Sequence, residues 1–252
     1  MLRERVITAI TGGTVFLALV YIGKTCALFL SLVLLAAGVY EIATMSRFNP
    51  QEKLLSIILA LIAFYFMING APLYAFIVLL PAITFGRLEA NKKLLVFFFM
   101  FYVAYAMNLL YIYASPSQTL FPIIYLLVIT WSNDTIAYFA GLSFGKHKLV
   151  ARISPGKTVE GTIAGILGGT VIYYALKSYL NGGIVPSGIL INGALLSAAA
   201  VLGDLFESYF KRCFGVKDSG KILPGHGGIL DRFDSLMMVL IVSTLIKKIG
   251  GF

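Results

Sequence analysis

Most of the side chains that could do chemistry lie between Ser208 and Asp234, in a chain that is 59% hydrophobic and only 12% charged. This segment reads SYFKRCFGVKDSGKILPGHGGILDRFD and brings lysines, arginines, aspartates, glycines and one histidine close together. Lysine and arginine side chains and the N–H groups of glycine-rich turns bind phosphate oxygens, while clustered aspartates bind a hard divalent cation. The segment therefore predicts an enzyme site for a phosphate-bearing nucleotide.

Two patterns in and beside this segment point to phosphate binding. The polar residues Asp204, Glu207, Ser208 and Lys211 are spaced i, i+3, i+4 and i+7, so they share one face of a predicted helix. Glycines in the following loop let the backbone approach a ligand closely, and the polar and glycine residues of that loop include Lys217, Asp218, Lys221, His226, Gly227 and Gly228. A salt-bridge ladder at a helix end and a solvated turn are the plainer alternatives.

Four aspartates on three predicted helices indicate a cation site. Asp231 and Asp234 open the last predicted helix, whereas Asp134 and Asp204 lie in two earlier ones. Capping needs fewer carboxylates than this, and Mg²⁺ is usually held by one or two carboxylates together with phosphate oxygens. We expect Asp204 and Asp231, assisted by Asp134 or Asp234, to bind Mg²⁺ and, in a two-cation site, a second ion. This hypothesis requires Asp134, Asp204 and Asp231 to lie close together.

The sequence 154–161, SPGKTVEG, resembles a weak fragment of a phosphate-binding loop. It lacks the full glycine pattern of a Walker loop and follows no predicted strand, so a P-loop fold is excluded. With Ser154, Lys157 and Thr158 at the N-terminus of a predicted helix, it would still form an anion site. The plainer alternative is that Ser154 and Thr158 cap that helix.

Membrane helices must position these residues, because the mean hydropathy is +0.91 and long apolar runs recur throughout the chain. Nine runs come near the ~20 residues that span a bilayer, and they predict an all-α, polytopic membrane protein. Pro72 and Pro81 predict that the fourth helix is bent or short. The predicted helices cover about 5–22, 25–45, 52–69, 71–86, 93–113, 121–142, 157–180, 187–210 and 232–249.

Basic residues alternate from one connection to the next and so predict the orientation of the chain. Connections with Arg47, Arg87 or Lys148 fall on one side, and those on the other side are near neutral apart from Lys24 and the terminal pair 247–248. The positive-inside rule then places the N-terminus and the candidate site on the cytoplasmic side of the cytoplasmic (inner) membrane. This topology accounts for most of the net charge of +9, so nucleic acid is excluded as a partner.

The polar residues are divided unevenly along the chain. Residues 1–115 predict a transmembrane scaffold of about five helices, and residues 116–252 predict a catalytic region of about four helices plus cytoplasmic loops. Glu41 is the one acidic residue in the scaffold spans that needs an explanation, and we expect it to snorkel to the membrane surface or to pair with a base. A homodimer is expected from the size of the chain alone, without an interface motif.

These residues resemble the signature of the phosphatidate cytidylyltransferase family, also called CDP-diacylglycerol synthases. The family pattern is Ser-x-apolar-Lys-Arg, four residues, Lys-Asp, then Pro/Gly-x-His-Gly-Gly-apolar-x-Asp-Arg-apolar-Asp. The chain matches it at Ser208, Lys211, Arg212, Lys217, Asp218, Pro224, His226, Gly227, Gly228, Asp231, Arg232 and Asp234. The block from Asn133 to Gly161 is similar to a second family block, except that Gly156 stands where relatives often have a lysine.

The resemblance implies a Mg²⁺-dependent reaction of CTP with phosphatidate that gives CDP-diacylglycerol and pyrophosphate for phospholipid biosynthesis. On this hypothesis the catalytic residues are Asp204, Asp231, Lys211, Arg212 and His226, and the metal ligands are Asp134, Asp204, Asp231 and Asp234. The substrates would be bound by Ser132, Asn133, Ser154, Lys157, Thr158, Ser208, Lys217, Asp218, Lys221, Gly227, Gly228 and Arg232.

Two other functions use similar residues. A CTP-dependent lipid kinase of polyprenol or phytol type would share the nucleotide-binding residues but would transfer a single phosphate and release CDP. An ion-coupled transporter also carries buried aspartates and glutamates. Transport does not need the glycine–histidine–basic loop, which argues against that alternative.

Overall fold

A computed structural model describes residues 2–114, 121–180, 188–222 and 227–249, with side chains described except at residues 2–10 and 121. The described residues form nine α-helices, which confirms a helical protein. They are α1 (Leu2–Ile22), α2 (Lys24–Met45), α3 (Pro50–Ile68), α4 (Pro72–Leu79), α5 (Ala90–Tyr113), α6 (Phe121–Phe144), α7 (Val159–Leu180), α8 (Ile189–Cys213) and α9 (Leu230–Lys248). A 3₁₀ turn over Leu80–Thr84 continues α4, so the predicted short fourth helix is confirmed.

Six of these helices are long and apolar enough to cross a membrane: α2, α3, α5, α6, α7 and α8. The part of α1 whose side chains are described, Thr11–Ile22, and the stretch Pro72–Thr84 around α4 are apolar but shorter than these six. Helix α9 is not among the six, and it begins and ends with charged residues. The predicted count of about nine spans is therefore not confirmed, although the helices themselves lie where the sequence predicts them.

A short antiparallel hairpin stands where the sequence analysis predicted the start of a helix. Strands β1 (Lys148–Val150) and β2 (Ser154–Thr158) pair with Lys148 opposite Thr158. Helix α7 begins only at Val159, because Pro155 and Gly156 disfavour a helix and the strand pairing uses the backbone. The helix thus begins two residues later than predicted, with residues 154–158 in a strand, and the anion site over these residues stays a prediction.

The chain forms two compact units. The first contains residues 1–120 and 210–233, and the second contains residues 121–209 and 234–252. These units do not follow a single division after residue 115, because the segment 210–233 packs with the N-terminal helices. The functional division into a scaffold and a catalytic region stays a prediction.

Packing in the first unit ties the segment 210–233 to the N-terminal helices. Phe99 of α5 stacks on Phe210 of α8, with ring centroids 4.1 Å apart. Gly38 of α2 lies against Leu230, the first residue of α9, where a Cβ atom would come within 3.1 Å of that side chain. Most of the segment that resembles the family signature is thus held by helices from the first half of the chain.

Packing in the second unit depends on glycines. Gly161, Gly165 and Gly169 recur every four residues on α7, the spacing that lets two membrane helices approach closely. A Cβ atom at Gly161 would lie 2.5 Å from the carbonyl oxygen of Ala137, and one at Gly165 would lie 2.8 Å from that of Asn133. The close contact of α6 with α7 therefore fixes the part of α6 that carries Asn133 and Asp134.

Candidate active site

A salt bridge between β2 and α8 forms the centre of a polar cluster in the second unit. Lys157 Nζ lies 2.6 Å from Asp204 Oδ2, and the two side chains are 23% and 27% exposed. The Ser208 hydroxyl, one turn further along α8, donates to Asp204 Oδ1 at 3.1 Å. The hairpin, and not a helix N-terminus, thus places Lys157 beside Asp204. The side chains of Lys157 and Asp204 both remain accessible to a ligand.

Asp134 of α6 joins this cluster. It interacts electrostatically with Lys157 and Asp204, and its neighbour Asn133 is fully buried with Nδ2 3.4 Å from Asp134 Oδ1. The Oδ1 atom of Asn133 has no hydrogen-bond partner among the described residues. The Ser132 hydroxyl donates to the carbonyls of Val128 and Ile129 in its own helix. Its contact with a substrate stays a prediction.

The donor set of this cluster fits a hard cation. Asp134 and Asp204 offer carboxylate oxygens, whereas Asn133 turns its Nδ2 atom toward Asp134 and its Oδ1 atom toward Gly165 of α7. Within the described ranges, no three His, Cys, Asp or Glu side chains come close enough to hold a metal ion by themselves. A cation here would therefore need further oxygens from a ligand, as Mg²⁺ commonly does with phosphates.

Thr158 has a structural task at the junction of β2 and α7. Its buried hydroxyl oxygen accepts a hydrogen bond from Gly161 N at 3.1 Å, so Thr158 caps α7. Ser154 lies at the start of β2, opposite Val150. The capping alternative is thus correct for Thr158. Among Ser154, Lys157 and Thr158, it is Lys157 that faces a charged partner, Asp204.

A second cluster, in the first unit, surrounds Asp231 at the start of α9. Its Oδ1 atom accepts from Lys211 Nζ at 2.6 Å, and its Oδ2 atom accepts from Gly228 N at 2.8 Å and Ser219 N at 3.0 Å. Burial disfavours the charged carboxylate, but the Lys211 ammonium and the N–H groups outweigh it and lower the pKa of Asp231 below its ordinary value. Asp231 is therefore ionised at neutral pH.

Glu41 of α2 lies behind Asp231 and is only 1% exposed. Its carboxylate accepts from Ile229 N at 2.8 Å, Leu230 N at 3.0 Å and the Ser219 hydroxyl at 2.8 Å. The same hydroxyl lies 3.0 Å from Asp231 Oδ2, so Ser219 links the two carboxylates. The expectation that Glu41 snorkels or pairs with a base is wrong, because these partners are a hydroxyl and two N–H groups.

Glycines at two positions make room for the Glu41 carboxylate. A Cβ atom would come within 2.7 Å of Glu41 Oε1 at Gly220 and within 2.5 Å at Gly228. Gly227 has a φ of +83°, a conformation that a residue with a side chain rarely adopts. These glycines of the signature therefore shape the protein around two carboxylates, in addition to any ligand contact.

The remaining predicted residues are distributed over both units. Arg212 donates to the carbonyl of Val216 at 2.9 Å, and Asp234 Oδ1 accepts from Ser235 N at 2.7 Å. The side chains of Lys217, Asp218, Lys221 and Arg232 are exposed. His226 and Pro224 lie outside the described residues.

The predicted site residues therefore form two groups. Asp134, Lys157 and Asp204 come together in the second unit, whereas Lys211 and Asp231 come together in the first. A single pocket containing Asp134, Asp204 and Asp231 stays a prediction. The place of Glu41 beside Asp231 is not predictable from the sequence. The sequence shows only an acidic residue within an apolar run.

Comparison with known proteins decides the family. The sequence matches the Cytidylyltransferase family over residues 3–249, almost the entire chain. The chain belongs to this family.

Relatives in staphylococci carry a more specific name. A phosphatidate cytidylyltransferase of Staphylococcus haemolyticus is 37% identical over 254 residues, which cover 95% of this chain and 96% of that protein. The phosphatidate cytidylyltransferases of Staphylococcus saprophyticus and Staphylococcus aureus (strain COL) are 47% and 48% identical over 139 residues. Those two alignments cover 55% of this chain and span about half, 54%, of each relative.

Proposed function

We propose that this membrane protein transfers the cytidylyl group of CTP to phosphatidate, giving CDP-diacylglycerol and pyrophosphate. The observation that supports this assignment best is the similarity over 95% of the chain to a phosphatidate cytidylyltransferase. The accessible Lys157–Asp204 pair agrees with it, because a cation beside a carboxylate suits a reaction between phosphates.

The reaction joins two anions, so the protein must mainly align them and reduce their repulsion. A phosphate oxygen of phosphatidate attacks the α-phosphorus of CTP, and the bond from that phosphorus to the pyrophosphate oxygen breaks. A phosphate oxygen needs no strong base at neutral pH. Lys157 and Lys211 are each held by a carboxylate at 2.6 Å, and we assign them to contacts with substrate phosphate oxygens.

Mg²⁺ is the proposed cofactor, and Asp134 and Asp204 are its proposed ligands. When bound, it would supply positive charge for the phosphates and the departing pyrophosphate. Asp231 is a weaker candidate than predicted, because Lys211, Ser219 and Gly228 already use its two oxygens. Asp234 is a weaker one also, because Ser235 N uses its Oδ1 atom.

We further propose that the protein lies in the cytoplasmic membrane with its substrate sites on the cytoplasmic side. This orientation places CTP on the same side as the basic connections that the positive-inside rule assigns to the cytoplasm. Phosphatidate would arrive from the bilayer around the apolar helices.

The assay uses the purified full-length protein with phosphatidate and CTP labelled either in the cytidine or in the γ-phosphate. We expect the cytidine label in the lipid product, release of pyrophosphate, loss of activity with a chelator and recovery with Mg²⁺. Transfer of the γ-phosphate alone would identify a lipid kinase instead. We expect Asp204→Asn to lower turnover at least about a hundredfold, whereas the control Lys93→Ala should retain most of it.

A further inference from the structure

A cavity of about 770 Å³ lies in the first unit, apart from the cluster around Asp231. It is bounded by the end of α2, the start of α3, the turn before α5, the first turn of α5 and the end of α8. Its charged residues are Arg47, Arg87, Lys92, Arg212 and Glu52, and we call this cavity the basic pocket. Neither Lys211 nor Asp231 lines it, although Arg212 is the next residue after Lys211.

The basic pocket has an excess of positive charge that its own carboxylate does not neutralise locally. Four cationic side chains and one carboxylate leave three positive charges. The Glu52 carboxylate accepts hydrogen bonds from Asn49 N at 2.8 Å and Gly86 N at 2.9 Å, so it is engaged by backbone groups. Within the described residues, Arg47, Arg87 and Lys92 form no ion pair.

A buried hydroxyl provides a second, independent indication of a ligand. Ser46 lines the basic pocket and is only 1% exposed. Its Oγ atom has no hydrogen-bond partner among the described residues. A buried hydroxyl without a partner is costly, and such groups are uncommon in native proteins. A rotation of the Ser46 side chain toward the pocket would give its hydroxyl an anion as acceptor.

The position of the pocket indicates where that anion comes from. Helices α2, α3, α5 and α8, whose ends form it, are all long and apolar enough to cross a membrane. When helices of this length cross a bilayer, their ends lie at the level of the lipid headgroups. Apolar side chains of Met45, Leu88 and Phe214 also line the pocket, beside the cations. We propose that the basic pocket binds the phosphate of an anionic membrane lipid.

The test measures binding of dihexanoyl phosphatidylglycerol to the full-length protein in detergent by microscale thermophoresis, without CTP. This probe is not the proposed substrate, so the result is independent of the proposed function. We expect Arg47→Gln/Arg87→Gln to bind about thirtyfold more weakly, which corresponds to about 1 kcal/mol for each charge. The control Lys146→Gln/Lys148→Gln removes two exposed charges from the hairpin region and should bind like the wild type.

Ser46→Ala tests the pocket without changing its charge. We expect about threefold weaker binding and an unchanged or higher melting temperature without lipid, because the variant removes an unsatisfied hydroxyl. If the double arginine variant does not fold, Lys92→Gln replaces it, with an expected loss of about fivefold. Both variants leave the residues assigned to catalysis intact.

Three results would overturn the proposal. The first is equal binding of zwitterionic dihexanoyl phosphatidylcholine. The second is an equal loss in the Lys146→Gln/Lys148→Gln control, which would indicate unspecific attraction by net charge. The third is binding of inorganic pyrophosphate that depends on Arg47 and Arg87 while the lipid does not bind, since the pocket would then serve a free anion.

Discussion

Asp231 has a structural role, because its two oxygens accept hydrogen bonds from a lysine and two backbone N–H groups. Asp204, in contrast, is about one quarter exposed and has a lysine and a serine hydroxyl as partners. Both residues match sequence patterns for cation or phosphate chemistry. A substitution at Asp204 therefore tests that chemistry with less effect on folding than one at Asp231.

We predict that Asp231→Asn lowers stability as well as turnover. In the structure, loss of the carboxylate removes the charge that lies 2.6 Å from the Lys211 ammonium, whose side chain is 10% exposed. Breaking such a buried pair costs about 3–5 kcal/mol. Thermal unfolding in detergent measures this loss, and the exposed Asp218→Asn serves as the stability control. An unchanged melting temperature for Asp231→Asn would contradict the structural role.

We predict that Glu41→Gln lowers turnover at least about tenfold. The amide has one acceptor oxygen, whereas the carboxylate accepts from Ile229 N, Leu230 N and the Ser219 hydroxyl. Its NH₂ group would therefore face a donor, and the Ser219 link to Asp231 would be disturbed. Turnover per folded molecule and the melting temperature are both measured.

Glu52→Gln is the matched control for Glu41→Gln. Glu52 also accepts from two backbone N–H groups in the first unit, but it caps α3 and supports the turn at Gly86. This variant should lose about 1 kcal/mol of stability and keep its turnover per folded molecule. If both glutamine variants lost turnover equally, Glu41 would have no particular connection to the site.

At the scale of elements, the sequence predicts the helices well and the hairpin poorly. Apolar runs near the length of a bilayer identify α2, α3 and α5 because burial in lipid leaves few other structures possible. The strands β1 and β2 are too short to show an alternating pattern, and the sequence of β2, SPGKT, resembles a helix start. The partners of Glu41 were also invisible, because they lie 178 to 189 residues further along the chain.

The contact of α6 with α7 gives a prediction about glycine. A methyl group at Gly165 would lie 2.8 Å from the Asn133 carbonyl oxygen, so Gly165→Ala must separate the two helices. We expect a loss of about 1–3 kcal/mol in stability and a lower turnover, because Asn133 and Asp134 would move. Thermal unfolding and the CTP assay measure these effects.

Gly13→Ala provides the control for Gly165→Ala. Gly13 is also helical, and a methyl group there meets no atom within 4 Å. Alanine is the better helix former, so this variant should be neutral or slightly more stable. Equal destabilisation at both positions would mean that the close approach of α6 to α7 is not the cause.

At the scale of the whole molecule, the charge pattern predicts which connections face the cytoplasm. We expect Lys148→Cys, in a background with Cys26→Ser and Cys213→Ser, to react with an impermeant maleimide only after cells are lysed. Asn69→Cys, on the opposite side of the predicted topology, should react on intact spheroplasts. Both positions are exposed. The reverse labelling pattern would contradict the cytoplasmic orientation and, with it, the access of CTP.

The Glu41 hydrogen bonds also constrain how the protein is made. Translation produces α2 early, yet the groups that satisfy this buried carboxylate are synthesised only when residues 219, 229 and 230 appear. A nascent chain released before residue 230 would enter the membrane with Glu41 but without all of its hydrogen-bond donors. Prematurely terminated products are therefore defective in their first unit as well as at their missing end.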